Sequence, residues 1–270
     1  MKILLNNHDL NEAVYDTSDL GFVPTMGSLH SGHLYLIKRS LKECGKTIVS
    51  IFVNPTQFNN KEDYIKYPRN NKKDLSILKR LKVDYVYMPS KKDIYNSHNK
   101  SKIKLNKQDK ILCAKFRKGH FEGVIDVMER FTKMIEPKKI YMGEKDFQQL
   151  HLVKKKIEKN YKSKIICCKT IRDKNKVALS SRNIHLSKKE IIKAGNIAKN
   201  LISFKKNISD EKNIIKLLDS KKKELTNFYN ISIEYLELRN IMNLKTSKNF
   251  KKAKLFIAYY INKVRLIDNF

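Results

Sequence analysis

At 270 residues the chain has room for one large domain or two modest ones, each with a buried core. Its 41% hydrophobic and 31% charged residues give an ordinary globular balance, and no apolar run approaches the roughly 20 residues that span a bilayer, so we expect no membrane partner. The net charge of +31 is typical of nucleic-acid binders, but only 9 of the 58 basic residues are arginine, the side chain best suited to phosphates and bases, so we expect no specific nucleic-acid partner.

The start, MKILLNNHDL, has too short an apolar core for a secretory signal, and we expect a cytoplasmic protein.

Strand-like and helical patterns alternate along the first two thirds of the chain. Thr47 to Pro55 is typical of a central parallel strand covered on both faces. The predicted elements are strand 20–23, a helix after Gly32, strand 47–55, helix 71–83, strand 84–89, helix 124–135, strand 139–144, helix 147–160 and strand 164–171. This α/β alternation predicts a doubly wound parallel (Rossmann-like) sheet, whose ligand site lies at the carboxyl ends of the strands.

The character of the chain changes after about Val177. Lysine-rich helical patterns run from Lys188 to about Tyr229, and strand-like segments follow at 231–239, 254–261 and 264–268. Helices followed by consecutive strands predict a smaller α+β C-terminal domain. The predicted domains are therefore residues 1–176 and residues 177–270.

The segment PTMGSLHSGH places two histidines at the turn between the first predicted strand and its helix. The free N–H groups and the positive dipole end of a helix make such a turn a natural site for an anion. Protonated imidazoles of His30 and His33 would add charge and directed hydrogen bonds for phosphate. The alternative is that each histidine only caps the helix or fills a surface gap. The repetition in H-x-G-H favours the phosphate site.

Polar segments also follow a second strand or precede a helix. FVNPTQF carries Asn54 and Gln57, neutral amides that suit a hydroxyl-bearing substrate and its carboxylate, although N-P is also an ordinary turn signal. YPRN carries Arg69, which could serve the site or be a surface arginine of an ordinary tyrosine–proline turn. FRKGHFEGV carries Arg117 and His120 ahead of a helix. Ligand sites of such sheets lie at the strand ends, so we expect these side chains near the turn with the two histidines.

Two further segments carry polar and charged groups. GEKDFQQL lies at a strand-to-helix turn, where Asp146 would be the N-cap, Lys145 could reach a phosphate as a point charge, and Gln149 lies one turn inside. LSSRN, residues 179–183, could close over a polyphosphate and neutralise charge on the leaving group. Taken alone, each segment is found more often in an ordinary turn than in a functional site. Together, at one edge of a sheet, they indicate a polyphosphate site.

The cysteines show no C-x-x-C spacing. Their sparse placement in a chain of this length argues against a disulfide framework or a zinc site. We therefore predict buried or idle thiols and no metal ligands from the protein. These cysteines are Cys44, Cys113, Cys167 and Cys168.

The segments PTMGSLHSGH, VSIFVNPTQF, YPR, GHFEGV, GEKDFQQL and LSSRN occur in the order seen in the pantothenate synthetase (pantoate–β-alanine ligase) family, which the chain resembles from about Gly21 to Asn183. The H-x-G-H turn alone is shared by a broad nucleotidyl-transferring superfamily, whereas the combination is far more specific. The resemblance implies an ATP-dependent ligase that joins (R)-pantoate to β-alanine through a pantoyl adenylate and releases AMP and diphosphate. It also implies a homodimer, with Mg²⁺ bridging ATP oxygens.

The resemblance also implies which residues form the site. The implied catalytic residues are His33, the family's proton donor, with His30, Lys145 and Arg182. Gln57 and Gln149 would bind pantoate, and Gln57 would also lie near β-alanine. The implied ATP-binding residues are Met26, Gly27, Ser28, Leu29, His30, Ser31, Gly32, His33, Gly143, Glu144, Lys145, Asp146, Ile171, Leu179, Ser180, Ser181 and Arg182.

Two alternatives remain open at this point. One is another adenylyl-transfer enzyme with an H-x-G-H turn, such as a nucleotidyltransferase or a truncated tRNA synthetase; a synthetase should carry a K-M-S-K-S-like loop, which Ser180 to Arg182 only approximates. The other is a basic nucleic-acid-binding protein, whose affinity would fall steeply with salt. Formation of AMP that depends on both pantoate and β-alanine separates these cases.

Overall fold

The structure, a computed structural model, describes residues 1–95, 103–208 and 213–270. It consists of two compact units, Met1–Lys169 and Thr170–Phe270. The first contains a six-stranded sheet flanked by helices and the second a three-stranded sheet with helices. The predicted fold class, a doubly wound parallel sheet with a smaller α+β C-terminal part, is confirmed.

The units divide between Lys169 and Thr170, ahead of the predicted boundary after residue 176. The intervening segment is tied to the second unit, because the guanidinium of Arg172 donates two hydrogen bonds to the carboxylate of Asp268, at 2.6 and 2.8 Å. The two residues lie 96 positions apart in the chain. Hydrophobic periodicity reports only local neighbours, so it could not include this contact when the boundary was predicted.

All strands of the first sheet are parallel, in the order β1-β4-β3-β2-β5-β6. The strands are β1 (Lys2–Leu4), β2 (Leu20–Thr25), β3 (Lys46–Ile51), β4 (Tyr85–Tyr87), β5 (Lys139–Gly143) and β6 (Lys164–Cys168). The helices are α1 (Asn7–Val14), α2 (Ser31–Glu43), α3 (Lys61–Ile65), α4 (Asn71–Arg80), α5 (Lys91–Ile94), α6 (Cys113–Phe116), α7 (His120–Ile135) and α8 (Phe147–Asn160).

Helices cover both faces of this sheet. On one face Phe22 packs edge-on against Phe131 of α7, with 5.5 Å between ring centroids. On the other face Val23 packs in a cluster with Ile37 of α2. Consecutive residues of β2 therefore enter different apolar layers. This explains why the central strands are continuous apolar runs rather than alternating ones.

The sequence patterns do not predict β1 or α1. β1 has three residues, of which Leu4 is buried, and α1 buries Leu10. Elements this short offer too few apolar positions for a period to be recognised. β1 nevertheless extends the sheet, because it pairs with β4 at the edge.

The strand order reverses at β2. The chain runs from β2 through β3 to β4 on one side, and then crosses to β5 and β6 on the other. β2 and β5 are direct parallel neighbours, with Gly21 opposite Lys139 and Phe22 opposite Ile140. In open α/β sheets the ligand crevice lies outside the carboxyl ends of strands at such a reversal. The turns after β2, β3 and β5 are therefore the place to look for a site.

The second unit has its own core. Its elements are α9 (Lys188–Asn207), α10 (Ile214–Tyr229), β7 (Ser232–Asn240), β8 (Ala253–Ile261) and β9 (Val264–Asn269), with the strands antiparallel in the order β7-β8-β9. Within the lysine-rich region from Lys188 to Tyr229, the described residues form helix α9, capped by Ser187, and helix α10, capped by Asn213. Throughout the described ranges, every helix is too short or too polar to cross a membrane.

Candidate active site

The turn after β2 is held by a buried carboxylate from α4. Gly27 and Ser28 have positive φ values of 77° and 51°, a conformation that is costly for serine. The two oxygens of Asp74 accept hydrogen bonds from the backbone N–H groups of Ser28 (2.7 Å) and Leu29 (2.8 Å). Asp74 is 1% exposed. These charge-assisted hydrogen bonds offset the strain of the turn.

Sequence reasoning missed Asp74. The signal was present, because Asp74 lies four residues before Leu78 and the two side chains are the buried ones of α4. Residues four apart lie on the same face of a helix. A lone carboxylate on the apolar face of an otherwise lysine-rich helix indicates a partner elsewhere in the fold.

Both histidines of H-x-G-H cap helix α2. Nδ1 of His30 accepts from the backbone N–H of Gly32 (3.1 Å), and Nδ1 of His33 accepts from the N–H of His30 (3.4 Å). Both histidines therefore do cap the helix, as the alternative interpretation of this turn required. The capping also changes the anion site, because the N–H groups from Ser28 to His30 and that of Gly32 already donate to side chains. Four N–H groups of this turn are therefore already used within the protein, and the phosphate site stays a prediction.

The two imidazoles are neutral. The pKa of His30 is lowered to about 4, first by desolvation and then by the charge of Lys145, with Asp146 acting in the opposite direction. The pKa of His33 lies well below its usual value because of desolvation, with His30 and Lys145 contributing. The prediction of protonated imidazoles is therefore wrong for this state of the protein, because burial disfavours the charged ring.

The caps also select the tautomer. A nitrogen that accepts a backbone hydrogen bond carries no proton, so each neutral ring holds its hydrogen on Nε2. Nε2 of His30 and Nε2 of His33 make no hydrogen bond to any residue that the structure describes. The ring centroids are 4.0 Å apart. The turn therefore presents two adjacent neutral N–H donors.

This charge state predicts a dependence of stability on pH. The pKa of His30 is about 4 in the folded chain against 6.5 ordinarily, so the unfolded chain binds more protons between these values and stability falls as the pH drops through this window. His30→Asn keeps a capping oxygen but does not titrate. From about pH 7.5 to about pH 5, we expect the wild-type chain to lose about 2 kcal/mol more unfolding free energy than the variant in urea titrations. Equal losses would contradict the assignment.

The turn after β3 is connected to the turn after β2. Asn54 is buried; its Oδ1 accepts from the hydroxyl of Tyr95 (2.8 Å) and its Nδ2 donates to the carbonyl of Gly123 (3.1 Å). Nδ2 of Asn54 also donates to Oε1 of Gln57 (3.2 Å). Nε2 of Gln57 reaches Sδ of Met26 at 3.1 Å. Asn54 thus has a structural role, while Gln57 is directed at the turn after β2.

The turn after β5 supplies charge to the same region. The Nζ of Lys145 is paired with Oδ1 of Asp146 at 3.2 Å, and the lysine charge lowers the pKa values of His30 and His33. Asp146 stands at the N-cap position of α8, but its side chain makes no capping bond to the described backbone. The predicted N-cap position of Asp146 is therefore confirmed, but its carboxylate pairs with Lys145 instead of making a side-chain capping bond.

The two glutamines at the start of α8 differ in their surroundings. Gln148 is buried, and its Nε2 donates to the carbonyl oxygens of Asp109 (3.1 Å) and Ile111 (2.8 Å). Successive residues of a helix point in different directions. Gln149 is partly exposed, and its amide has no hydrogen bond to a residue in the described ranges. Gln149 is therefore the glutamine available to a ligand.

Arg69 acts locally. Its guanidinium donates to the carbonyl oxygens of Tyr64 (2.9 Å) and Ile65 (3.2 Å) and lies over the ring of Tyr64. These contacts satisfy carbonyl groups at the end of α3 that lack partners within the helix. The ordinary turn interpretation of YPRN accounts for this arginine.

The remaining predicted residues belong to the second unit. The N–H of Leu179 donates to the carbonyl of Ile171 (3.0 Å), so these two residues are neighbours. The hydroxyl of Ser180 accepts from the N–H of Arg182 (3.3 Å) and caps the short 3₁₀ helix Ser181–His185. The first unit therefore brings together residues 26–33, 57 and 143–146 with Gln149 on the adjoining helix, and the second unit holds 171 and 179–182.

The chain matches one protein family along its length. The family profile described as pantoate-beta-alanine ligase covers residues 2–270. The pantothenate synthetase of Endomicrobium trichonymphae is 40% identical over 275 residues, covering 100% of this chain and 97% of that protein. The pantothenate synthetase of Flavobacterium psychrophilum is 40% identical over 266 residues, covering 96% and 94%.

Solved structures agree. The pantothenate synthetase from Thermus thermophilus has a TM-score of 0.92 at 29% identity, covering 100% of this chain and 99% of that one. The pantoate-beta-alanine ligase from Francisella tularensis, complexed with beta-gamma ATP and beta-alanine, has a TM-score of 0.86 at 37% identity, covering 100% and 97%. The resemblance seen in the sequence is confirmed, and with it the predicted enzyme class. The chain belongs to the pantoate–β-alanine ligase family, the ATP-dependent ligases that condense pantoate with β-alanine by forming an amide bond.

Proposed function

We propose that this chain condenses (R)-pantoate with β-alanine through a pantoyl adenylate, releasing AMP and diphosphate. An amine does not displace oxide from a carboxylate at neutral pH, so the acid must first gain a better leaving group. Attack of the pantoate carboxylate on the α-phosphorus of ATP supplies one. The observation that carries the proposal is the pair of neutral Nε2–H donors of His30 and His33, next to the charge of Lys145, at the strand reversal.

Four side chains contribute to the chemistry at the phosphates. His33, which the resemblance implies to be the proton donor, and His30 each donate a hydrogen bond from Nε2–H to a phosphate oxygen. Lys145 and Arg182 stabilise the charge that develops on the α-phosphate and on the leaving diphosphate. The nucleotide itself is bound by residues 26–33, 143–146, 171 and 179–182. Mg²⁺ would accompany ATP and help to neutralise the charge of its phosphates, and no residue of this chain is assigned to it.

Pantoate binds between Gln57 and Gln149, with Gln57 also close to β-alanine. The hydrogen bonding of the Gln57 amide supports this placement. Nε2 of Gln57 donates to the sulfur of Met26, and a thioether is a weak acceptor. Exchanging that sulfur for a carboxylate or hydroxyl oxygen of the substrate improves the hydrogen bond.

We also infer the setting in which the enzyme works. The first unit, Met1–Lys169, is the ATP- and pantoate-binding domain, and the second unit, Thr170–Phe270, is a lid. The enzyme is a cytoplasmic homodimer, as the resemblance implies. Its partners are the three small-molecule substrates; the low arginine share of its basic residues supports the absence of a specific nucleic-acid partner.

The test is an assay of the purified chain with each substrate omitted in turn. We expect pantothenate, AMP and diphosphate in equal amounts only when pantoate, β-alanine and MgATP are all present. Exchange of labelled diphosphate into ATP should require pantoate but not β-alanine, because the adenylate forms first. AMP release that ignores pantoate would favour another adenylyl-transfer enzyme. Tight nucleic-acid binding that falls steeply with salt, without ligase activity, would favour the basic binding protein.

A further inference from the structure

Arg117 and His120 stand out in the sequence but have no part in the proposed binding of ATP or pantoate. His120 is the first residue of α7 and is 6% exposed. Its Nε2 lies 2.9 Å from Nη1 of Arg117, and its Nδ1 lies 2.7 Å from the main-chain oxygen of Gln57. The imidazole therefore bridges an arginine and the residue proposed to bind pantoate.

The chemistry of the two partners determines the protonation of this ring. A guanidinium only donates hydrogen bonds, so Nε2 of His120 is the acceptor and carries no hydrogen. A carbonyl oxygen only accepts, so Nδ1 carries the hydrogen and donates to Gln57. His120 is thus a neutral Nδ1–H imidazole, the tautomer opposite to that of His30 and His33. Arg117 keeps the ring in this form, because any other form would lose one of the two hydrogen bonds.

The N-terminal turn of α7 is packed against the short turn that carries Gln57. A Cβ on Gly123 would lie 2.5 Å from the carbonyl oxygen of Thr56, so only glycine allows this approach. Nδ2 of Asn54 donates to the carbonyl of Gly123. These contacts hold the start of the turn, and the hydrogen bond from His120 holds its last residue, Gln57.

We propose that His120 is a positioning residue for pantoate. Its Nδ1–H fixes the main chain of Gln57 so that the side-chain amide meets the substrate, and Arg117 fixes the tautomer that makes this possible. This inference rests on the proposed role of Gln57. It assigns His120 no contact with the reacting atoms.

The expected effect is specific to one substrate. Without the Nδ1–H donor, a buried carbonyl is left unpaired and the turn shifts; a displacement of about 1 Å in a positioning group costs up to about 100-fold. We therefore expect His120→Ala to raise KM for pantoate by about tenfold or more, with KM for ATP changed by less than about twofold. A merely structural role would lower the active fraction, and hence kcat, without this split.

The test uses two variants and one control, all as full-length chains. His120→Ala removes the donor, whereas His120→Asn places an amide N–H near the position of Nδ1. His151→Ala is the matched control, a half-buried histidine on α8 with no assigned role. KM for each substrate is measured for each variant, with thermal melting as a check on folding.

A rise in KM for pantoate in His120→Ala, its recovery to within about threefold in His120→Asn and no rise in His151→Ala would support the inference. An unchanged KM for pantoate in His120→Ala would overturn it, and so would a rise in His120→Asn as large as that in His120→Ala. The variant Gln57→Ala distinguishes failure of the proposed role of Gln57 from failure of the inference about His120. If that variant leaves KM for pantoate unchanged, the proposed role of Gln57 fails; if it raises KM while His120→Ala does not, only the inference about His120 fails.

Discussion

Replacing His33 by asparagine is expected to slow formation of the adenylate by about 10²–10³-fold, the usual cost of removing one hydrogen-bond donor that stabilises charge in the transition state. Asparagine retains an oxygen near the position of Nδ1, which can accept from the N–H of His30 as the imidazole does at 3.4 Å. The cap is kept and Nε2–H is lost. The measurement is exchange of labelled diphosphate into ATP in the presence of pantoate.

His33→Gln is the matched variant. Its amide N–H occupies the region of Nε2, but on a flexible side chain it is placed less rigidly than the N–H of an imidazole ring. We expect it to recover about tenfold of the lost rate, the value of one hydrogen bond, without reaching wild type. Near-normal exchange in His33→Asn, or a defect confined to attack of β-alanine on the adenylate, would rule out the assigned role.

Asp74→Asn is expected to weaken both the fold and ATP binding. An amide has one accepting oxygen, so the N–H of either Ser28 or Leu29 would face the NH₂ group instead of a carboxylate oxygen. Losing a hydrogen bond to a buried charged group lowers the free energy of unfolding by about 1.5–3 kcal/mol. The turn with its two positive φ values then relaxes, and the histidines that follow it move with it.

We expect KM for ATP to rise about tenfold or more in Asp74→Asn, because groups that orient phosphate shift together. Urea unfolding measures the free energy of unfolding, and steady-state kinetics at varied ATP concentration measure KM for ATP. Asp16→Asn, an exposed carboxylate of the same unit, is the control and should change neither quantity. A variant as stable as the wild type, with unchanged KM for ATP, would show that Asp74 does not hold the turn.

Much of the fold follows from local patterns. Helix α8 has the predicted bounds, 147–160, because its apolar residues repeat at the helical period. The central strands were recognisable because both of their faces are buried and their runs are continuously apolar. The structure divides into two units between Lys169 and Thr170 rather than at the predicted boundary after residue 176, and Arg172 of the intervening segment pairs with Asp268 far along the chain.

The composition of the candidate site was also readable from local segments. Parallel strands bring their carboxyl ends to one edge, so the turns after β2, β3 and β5 had to be neighbours once the strand order was known. Family membership followed from six short segments in a fixed order, since each preserves residue types at fixed spacing. The sequence was therefore sufficient for the class of fold, the family and the segments that meet.

The state of those segments depended on contacts that no local pattern contains. Asp74 binds the turn at Ser28 from 46 residues away, and His120 holds Gln57 across 63 residues. The neutral charge of His30 and His33 arises from burial and from Lys145 on another turn. Protonation, tautomer and the use of each backbone N–H depend on which atoms lie within about 3 Å. Those distances exist only after the chain has folded, so they could not be obtained from residue order.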